Sequence, residues 1–279
     1  MDTKFSSQQP IGMFDSGVGG LSVLRAVRRE LPNEDVLYLA DQAHIPYGSK
    51  SKKKIRRFAV EITRFLLERG AKMIVVACNA ASAAALQELR ELFPTVPFVG
   101  MEPAVKPAAE RTHTGKVGVL ATPTTFSGDL YASVVERFAQ HVTIYKSNCP
   151  GLVEEIEAGN LDSPNVRGIL HEALDPMIEA GIDTVVMGCT HYPFVIPVIE
   201  EITGPAVRTI DPAPAVARQV RRLLLERSLL NLGESAGKLR FYTSGDLQAF
   251  VELHPMLLGE TGDVQQVKWN ACLHLSQEN

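Results

Sequence analysis

Gly70-Ala-Lys-Met-Ile-Val-Val-Ala-Cys78-Asn79-Ala80-Ala-Ser-Ala-Ala-Ala85 is a short apolar run, Met73 to Ala77, that ends in a cysteine and passes into small helix formers. The pattern predicts a buried strand that delivers a thiol to the first turn of a helix. It occurs again as Gly181-Ile-Asp-Thr-Val-Val-Met-Gly-Cys189-Thr190-His191. In each copy the cysteine lies eight residues after a glycine, and Glu68 or Glu179 lies two residues before that glycine. Two strand–thiol–helix units in one chain point to an α/β protein whose two thiols face one site.

Beyond each thiol the correspondence continues. Met101-Glu102-Pro103-Ala follows the first cysteine, with Glu102 24 residues after Cys78. Ile210-Asp211-Pro212-Ala follows the second, with Asp211 22 residues after Cys189. The proline at each place marks a crossing between units. The expected organisation is two similar α/β domains related by a pseudo-two-fold axis, with mostly parallel sheets flanked by helices. The first domain takes residues 1–102 plus 212–279, the second residues 103–211. The active site is expected in the cleft between them, where strand C-terminal edges meet.

Composition narrows the function. The chain has 279 residues, 45% hydrophobic and 22% charged, which suits a globular protein with a large core. Its 28 basic and 32 acidic residues give a formal charge of -4, so neither a nucleic-acid footprint nor a basic membrane face is expected. No stretch approaches the roughly 18 apolar residues of a spanning helix, and the polar N-terminus has no secretory apolar core, so a cytoplasmic protein is expected. Lys50 to Arg57 holds six basic residues in eight, most simply a solvated helix face. Cys78, Cys149, Cys189 and Cys272 are too far apart for a C-x-x-C pair, so neither a disulfide framework nor a zinc site is expected. Cys272 alone would be an inert buried hydrophobe.

The N-terminal motif is Phe14-Asp15-Ser16-Gly17-Val-Gly19-Gly20, a strand end followed by a flexible turn. Ser22 stands where a dinucleotide fingerprint would need its third glycine, so a nicotinamide cofactor is not expected. The turn's N–H groups are instead expected to meet an anion. Asp15 serves equally well as a helix cap or as a functional carboxylate.

Two thiols approaching one ligand from opposite faces suit inversion at a stereocentre, where one face loses a proton and the other gains one. A helix N-terminus is expected to lower a thiol's pKa from its usual 8.5 or so, because the dipole favours the thiolate. Asp15, Ser16 and Asn79 provide polar neighbours on one side, and Thr190, His191 and Glu157 on the other.

The motifs Phe-Asp15-Ser16-Gly-Val-Gly-Gly-Leu, Asp41 with Pro46-Tyr47-Gly48, Val-Val-Ala-Cys78-Asn79, Gly-Cys189-Thr190-His191-Tyr-Pro and Phe241-Tyr-Thr-Ser-Gly-Asp246 closely resemble those of glutamate racemases. The resemblance covers nearly the whole chain. It implies a cofactor-independent enzyme whose small-molecule partner is glutamate, making D-glutamate for peptidoglycan, and it is compatible with a homodimer. It also implies that Cys78 takes the proton from D-glutamate with help from Asp15. Cys189 would take it from L-glutamate with help from His191 and Glu157. Substrate contacts would come from Asp15, Ser16, Tyr47, Gly48, Asn79, Ala80, Thr190 and His191. One position departs from that pattern, since Ala80 stands where these enzymes usually have threonine. The rival readings are a racemase of another acidic amino acid, such as aspartate, and a non-catalytic dicarboxylate-binding module. A pyridoxal-phosphate racemase would need a lysine in the motif stretches, and none is there.

Overall fold

The computed structural model describes residues 5–102 and 104–277. Its strands in chain order are β1 (Ile11–Asp15), β2 (Val36–Ala40), β3 (Met73–Val76), β4 (Phe98–Gly100), β5 (Lys116–Ala121), β6 (Thr143–Ser147), β7 (Thr184–Gly188), β8 (Arg208–Ile210), β9 (Leu239–Thr243), β10 (Asp263–Trp269) and β11 (Leu275–Gln277). They form a seven-stranded sheet, β11-β10-β9-β2-β1-β3-β4, and a four-stranded sheet, β6-β5-β7-β8. All pairings are parallel except β10 with β11. The first four strands of each sheet are laid out identically, since β2-β1-β3-β4 and β6-β5-β7-β8 are one order written twice. The chain is a two-domain α/β protein.

Strands β1, β2, β3 and β7 are buried along their whole length. Helices cover both faces of a parallel sheet, so these strands are apolar throughout rather than alternating. The helix Lys52–Glu68 shows how the covering works. Ile55, Phe58, Ala59, Ile62, Phe65 and Leu66 recur at helical spacing and are buried, while Lys53, Lys54, Arg56 and Arg57 stay in solvent. Ser51 starts it by accepting from Lys54 N–H. Among the described residues no helix is long and apolar enough to cross a membrane.

Register fixes where the thiols sit. Phe14 pairs with Val76, so two residues further along Ser16 comes level with Cys78. Ala121 pairs with Gly188, so one residue further along Thr122 comes level with Cys189. Each thiol thus emerges level with a hydroxyl-bearing residue just past the end of the neighbouring strand.

Two local expectations are corrected. Cys78 does cap a helix, Asn79–Leu92, its sulfur accepting from Ala81 N–H at 3.5 Å. Cys189 is followed instead by a single 3-10 turn, Tyr192–Val195, and the α-helix begins only at Ile196. Pro193 and Pro197 carry no N–H, so an α-helix running back to the thiol would lack part of its ladder. Cys272 is exposed, on the turn between β10 and β11. β11 is only three residues long and pairs with β10 alone, too short for a periodic signal in the sequence. The expected crossing at 102–103 falls partly on Pro103, which lies outside the described residues.

Candidate active site

Ser16, Tyr47, Gly48, Cys78, Asn79 and Ala80 from the first sheet's loops line a cavity with Thr122, Val153, Cys189, Thr190 and His191 from the second sheet's side. About 290 Å³ of space lies between these walls, part of it open solvent, and Pro46 completes the wall. Both thiols therefore open into one void. Asp15 and Glu157 do not line it; they stand behind the thiols. Pro46, Thr122 and Val153 line it although sequence reasoning did not single them out as site residues. Thr122 was legible in principle, because it follows β5 as Ser16 follows β1.

On the first side, Asp15 is fully buried and its Oδ2 accepts from Gly17 N–H (3.2 Å) and Gly20 N–H (3.0 Å). Among the described residues its Oδ1 has no hydrogen-bond partner, and the Cys78 thiol is its electrostatic neighbour. Burial raises the Asp15 pKa above the usual carboxylate value, although His191 and the thiol pull the other way. Burial, reinforced by Asp15, also pushes Cys78 well above an ordinary thiol. The expected lowering by the helix N-terminus is thus overturned here: the Ala81 N–H acts in that direction, and desolvation outweighs it.

On the second side, His191 Nδ1 lies 3.7 Å from Cys189 Sγ, and its Nε2 lies 2.7 Å from Glu157 Oε1. The imidazole is 2% exposed. Burial would lower its pKa, but Cys189 and Glu157 together carry it well above the ordinary histidine value. The first thiol is therefore backed by a carboxyl group and the second by an imidazole.

The glycine turn meets anions, as its composition predicts, but they are the chain's own. Asp15 takes Gly17 and Gly20, and Glu157 Oε1 takes Val18 N–H at 2.6 Å. Ser22 Oγ reaches across to Thr190 O at 2.8 Å, so the turn also fastens the second thiol's loop.

The wall under Tyr47 is held by Asp41, itself buried. Asp41 Oδ2 accepts from Tyr47 O–H (2.6 Å) and lies 2.9 Å from His44 Nδ1, while Oδ1 accepts from Ser244 Oγ and Trp269 Nε1, both 2.7 Å. The C-terminal strands thereby brace a cavity wall built from the first fifty residues. Burial and Asp41 keep the Tyr47 pKa well above 10, so its hydroxyl stays a donor. His44 stacks on Phe58 outside the cavity.

Asn79 is the wall's unsatisfied group. It is 4% exposed, lines the cavity, and neither Nδ2 nor Oδ1 has a partner among the described residues. An orphaned amide of this kind costs on the order of 1–3 kcal/mol, which a polar ligand would offset. Among the described residues no group of three His, Cys, Asp or Glu side chains is placed to hold a metal ion.

Comparison with known proteins places this arrangement. The model of the Asp/Glu/Hydantoin racemase family matches residues 11–220. A glutamate racemase from Roseiflexus sp. (strain RS-1) is 52% identical over 248 residues, covering 88% of this chain and 91% of that one. The crystal structure of glutamate racemase from Francisella tularensis in complex with D-glutamate superposes with a TM-score of 0.81 at 32% identity, over 95% of this chain and 98% of that one. That of Escherichia coli glutamate racemase, in complex with L-glutamate and the activator UDP-MurNAc-ala, gives 0.82 at 32% identity, over 97% and 100%. A shared cavity with a thiol from each half, in a chain so similar along its length, belongs to the glutamate racemases of the Asp/Glu/hydantoin racemase family, and the protein is an amino-acid racemase.

Proposed function

We propose that this protein interconverts L- and D-glutamate without a cofactor, using Cys78 and Cys189 as bases on opposite faces of the α-carbon. D-glutamate made this way would serve peptidoglycan synthesis in the cytoplasm. The observation that carries the reading is that two cysteines at equivalent register positions of two like sheets open into one cavity. The substrate comes from relatives bound to D-glutamate and to L-glutamate. The same reading divides the chain into 1–102 plus 212–279 and 103–211.

With D-glutamate bound, the Cys78 thiolate takes the α-proton while the Cys189 thiol delivers its own to the other face. The product is L-glutamate, and the protein is left with Cys78 protonated and Cys189 ionised, ready for the reverse reaction. A cation beside a thiol favours its ionised form. The substrate's ammonium can play that part for Cys78, whose thiolate is otherwise disfavoured by burial and Asp15. His191 can play it for Cys189, held by Glu157. Asn79 and Thr190 remain to receive the carboxylates.

In D₂O with either enantiomer and no added cofactor, the protein should place deuterium on the α-carbon as optical rotation decays. Cys78→Ala and Cys189→Ala should each abolish racemisation. Full activity in either variant would remove the two-thiol mechanism.

A further inference from the structure

Behind His191 runs a directed chain of hydrogen bonds that crosses from one half of the protein to the other. Gly245 N–H donates to Thr243 Oγ1 (3.0 Å), and the threonine hydroxyl in turn donates to Gln42 Oε1 (2.8 Å). That fixes the orientation of the Gln42 amide, whose Nε2 then donates to Glu157 Oε2 at 2.8 Å. Glu157 Oε1 receives Val18 N–H and His191 Nε2. Neither Gln42 nor Thr243 lines the cavity, and a side chain at Gly245 would collide with Gln42.

We propose that Gln42 is a positioning residue for the Cys189 half of the reaction, holding Glu157 on His191 Nε2 so that Nδ1 is left facing the Cys189 sulfur. The proposal rests on the reading of Cys189 as a base. Its logic is rotational. Glu157 is the last residue of a six-residue helix, Leu152–Glu157. Val18 and His191 both hold Oε1, and among the described residues Gln42 alone holds Oε2. Without it the carboxylate can turn about its terminal bond, and the imidazole loses the partner that accepts its Nε2 proton and supports its positive charge. The titratable groups around His191 are Cys189, Glu157 and, beneath the glycine turn, Asp15.

Gln42→Met keeps the side-chain length and removes the amide, and Gln42→Glu adds a second carboxylate beside Glu157. The test follows the pH titration of the His191 ring nitrogens by ¹⁵N NMR in the free protein, together with kcat and KM for glutamate. Gln42→Met should lower the His191 midpoint and cut kcat about tenfold with KM little changed. Gln42→Glu should move the midpoint upward. Thr243→Val should shift it as Gln42→Met does, by less, and stands in should Gln42→Met fail to fold. Opposite shifts from the two Gln42 variants would establish the positioning role. Unmoved midpoints in variants that melt like the parent would overturn it, whether or not kcat falls. The titration needs no turnover, so a parent protein that failed to racemise glutamate would overturn the functional reading separately.

Discussion

Gly19 packs so tightly against His191 that a Cβ at this position would collide with the imidazole Nδ1. Gly17 stands in the same relation to the Glu157 carboxylate. Neither glycine has a positive φ, so the requirement is for room rather than for backbone freedom. The turn first legible as a flexible loop is a flat bed against which the second half lays its acid–base pair.

Gly19→Ala should therefore displace His191 from Cys189 without straining the backbone. The expected result is a loss of about 100-fold in kcat, the scale of one misplaced acid–base group. Thermal unfolding should move by only a few degrees. Steady-state kinetics beside a melting curve checks this, and unchanged kcat would mean that His191 does not assist the second thiol.

Ala80 is buried on the cavity wall, next to the unsatisfied Asn79. Ala80→Thr supplies the hydroxyl that the resemblance to glutamate racemases leads one to expect there. A hydrogen bond to a charged group is worth about 1.5–3 kcal/mol, so KM for glutamate should fall roughly tenfold with kcat less affected. Michaelis curves for both enantiomers decide it. An unmoved KM would show that Ala80 costs nothing in binding.

His254 gives stability a pH dependence away from the site. Its Nδ1 lies 2.9 Å from Phe250 O, its Nε2 is buried without a partner among the described residues, and its ring stacks on Phe250. Burial lowers its pKa below 6.5, so between that folded value and 6.5 the unfolded chain binds a proton that the folded one refuses. Stability from this group is full above about pH 6.5 and declines as pH falls below it. His191 has the opposite sign: its raised pKa contributes below about pH 6.5, and that contribution is lost as pH rises through the folded value. His254→Leu should flatten the acid side of a plot of melting temperature against pH. A plot parallel to the parent's would exclude His254 as the cause.

Lys72 and Glu34 form a buried ion pair at 2.5 Å. The lysine also donates to Ser7 O, and Glu34 Oε1 accepts from Asn231 N–H at 2.8 Å, so the pair ties the N-terminal segment to the returning C-terminal part. Burial is the largest influence on Lys72 and lowers its pKa, with Glu34 opposing. Lys72→Met strands a buried carboxylate and should cost about 3–5 kcal/mol in denaturant unfolding. Adding Glu34→Leu should recover much of that loss, and a double variant no more stable than the single one would contradict this account.

Much of the fold was legible because its causes are local. The strand stretches Met73–Val76 and Thr184–Gly188, each with a glycine three residues before it and a cysteine just after it, carry their period and punctuation in the chain itself. Repetition of that pattern also announced two like halves, and the structure writes the same strand order in both sheets. Where local rules failed, a specific competitor had won. Pro193 and Pro197 delay the helix after Cys189, and β11 is too short to leave a pattern.

By itself the sequence determined the residue types, their spacing and the strands that present them, since strand periodicity, helix caps and turn residues act over a few neighbours. Only the tertiary structure decided who faces whom. It set Asp15 and Glu157 behind the thiols, turned the glycine N–H groups onto the chain's own carboxylates, and joined Gln42 to a carboxylate 115 positions away. It also reversed the expected shift at Cys78. The physical reason is that desolvation and hydrogen-bond direction depend on groups brought together by packing, and no local window of the chain contains them.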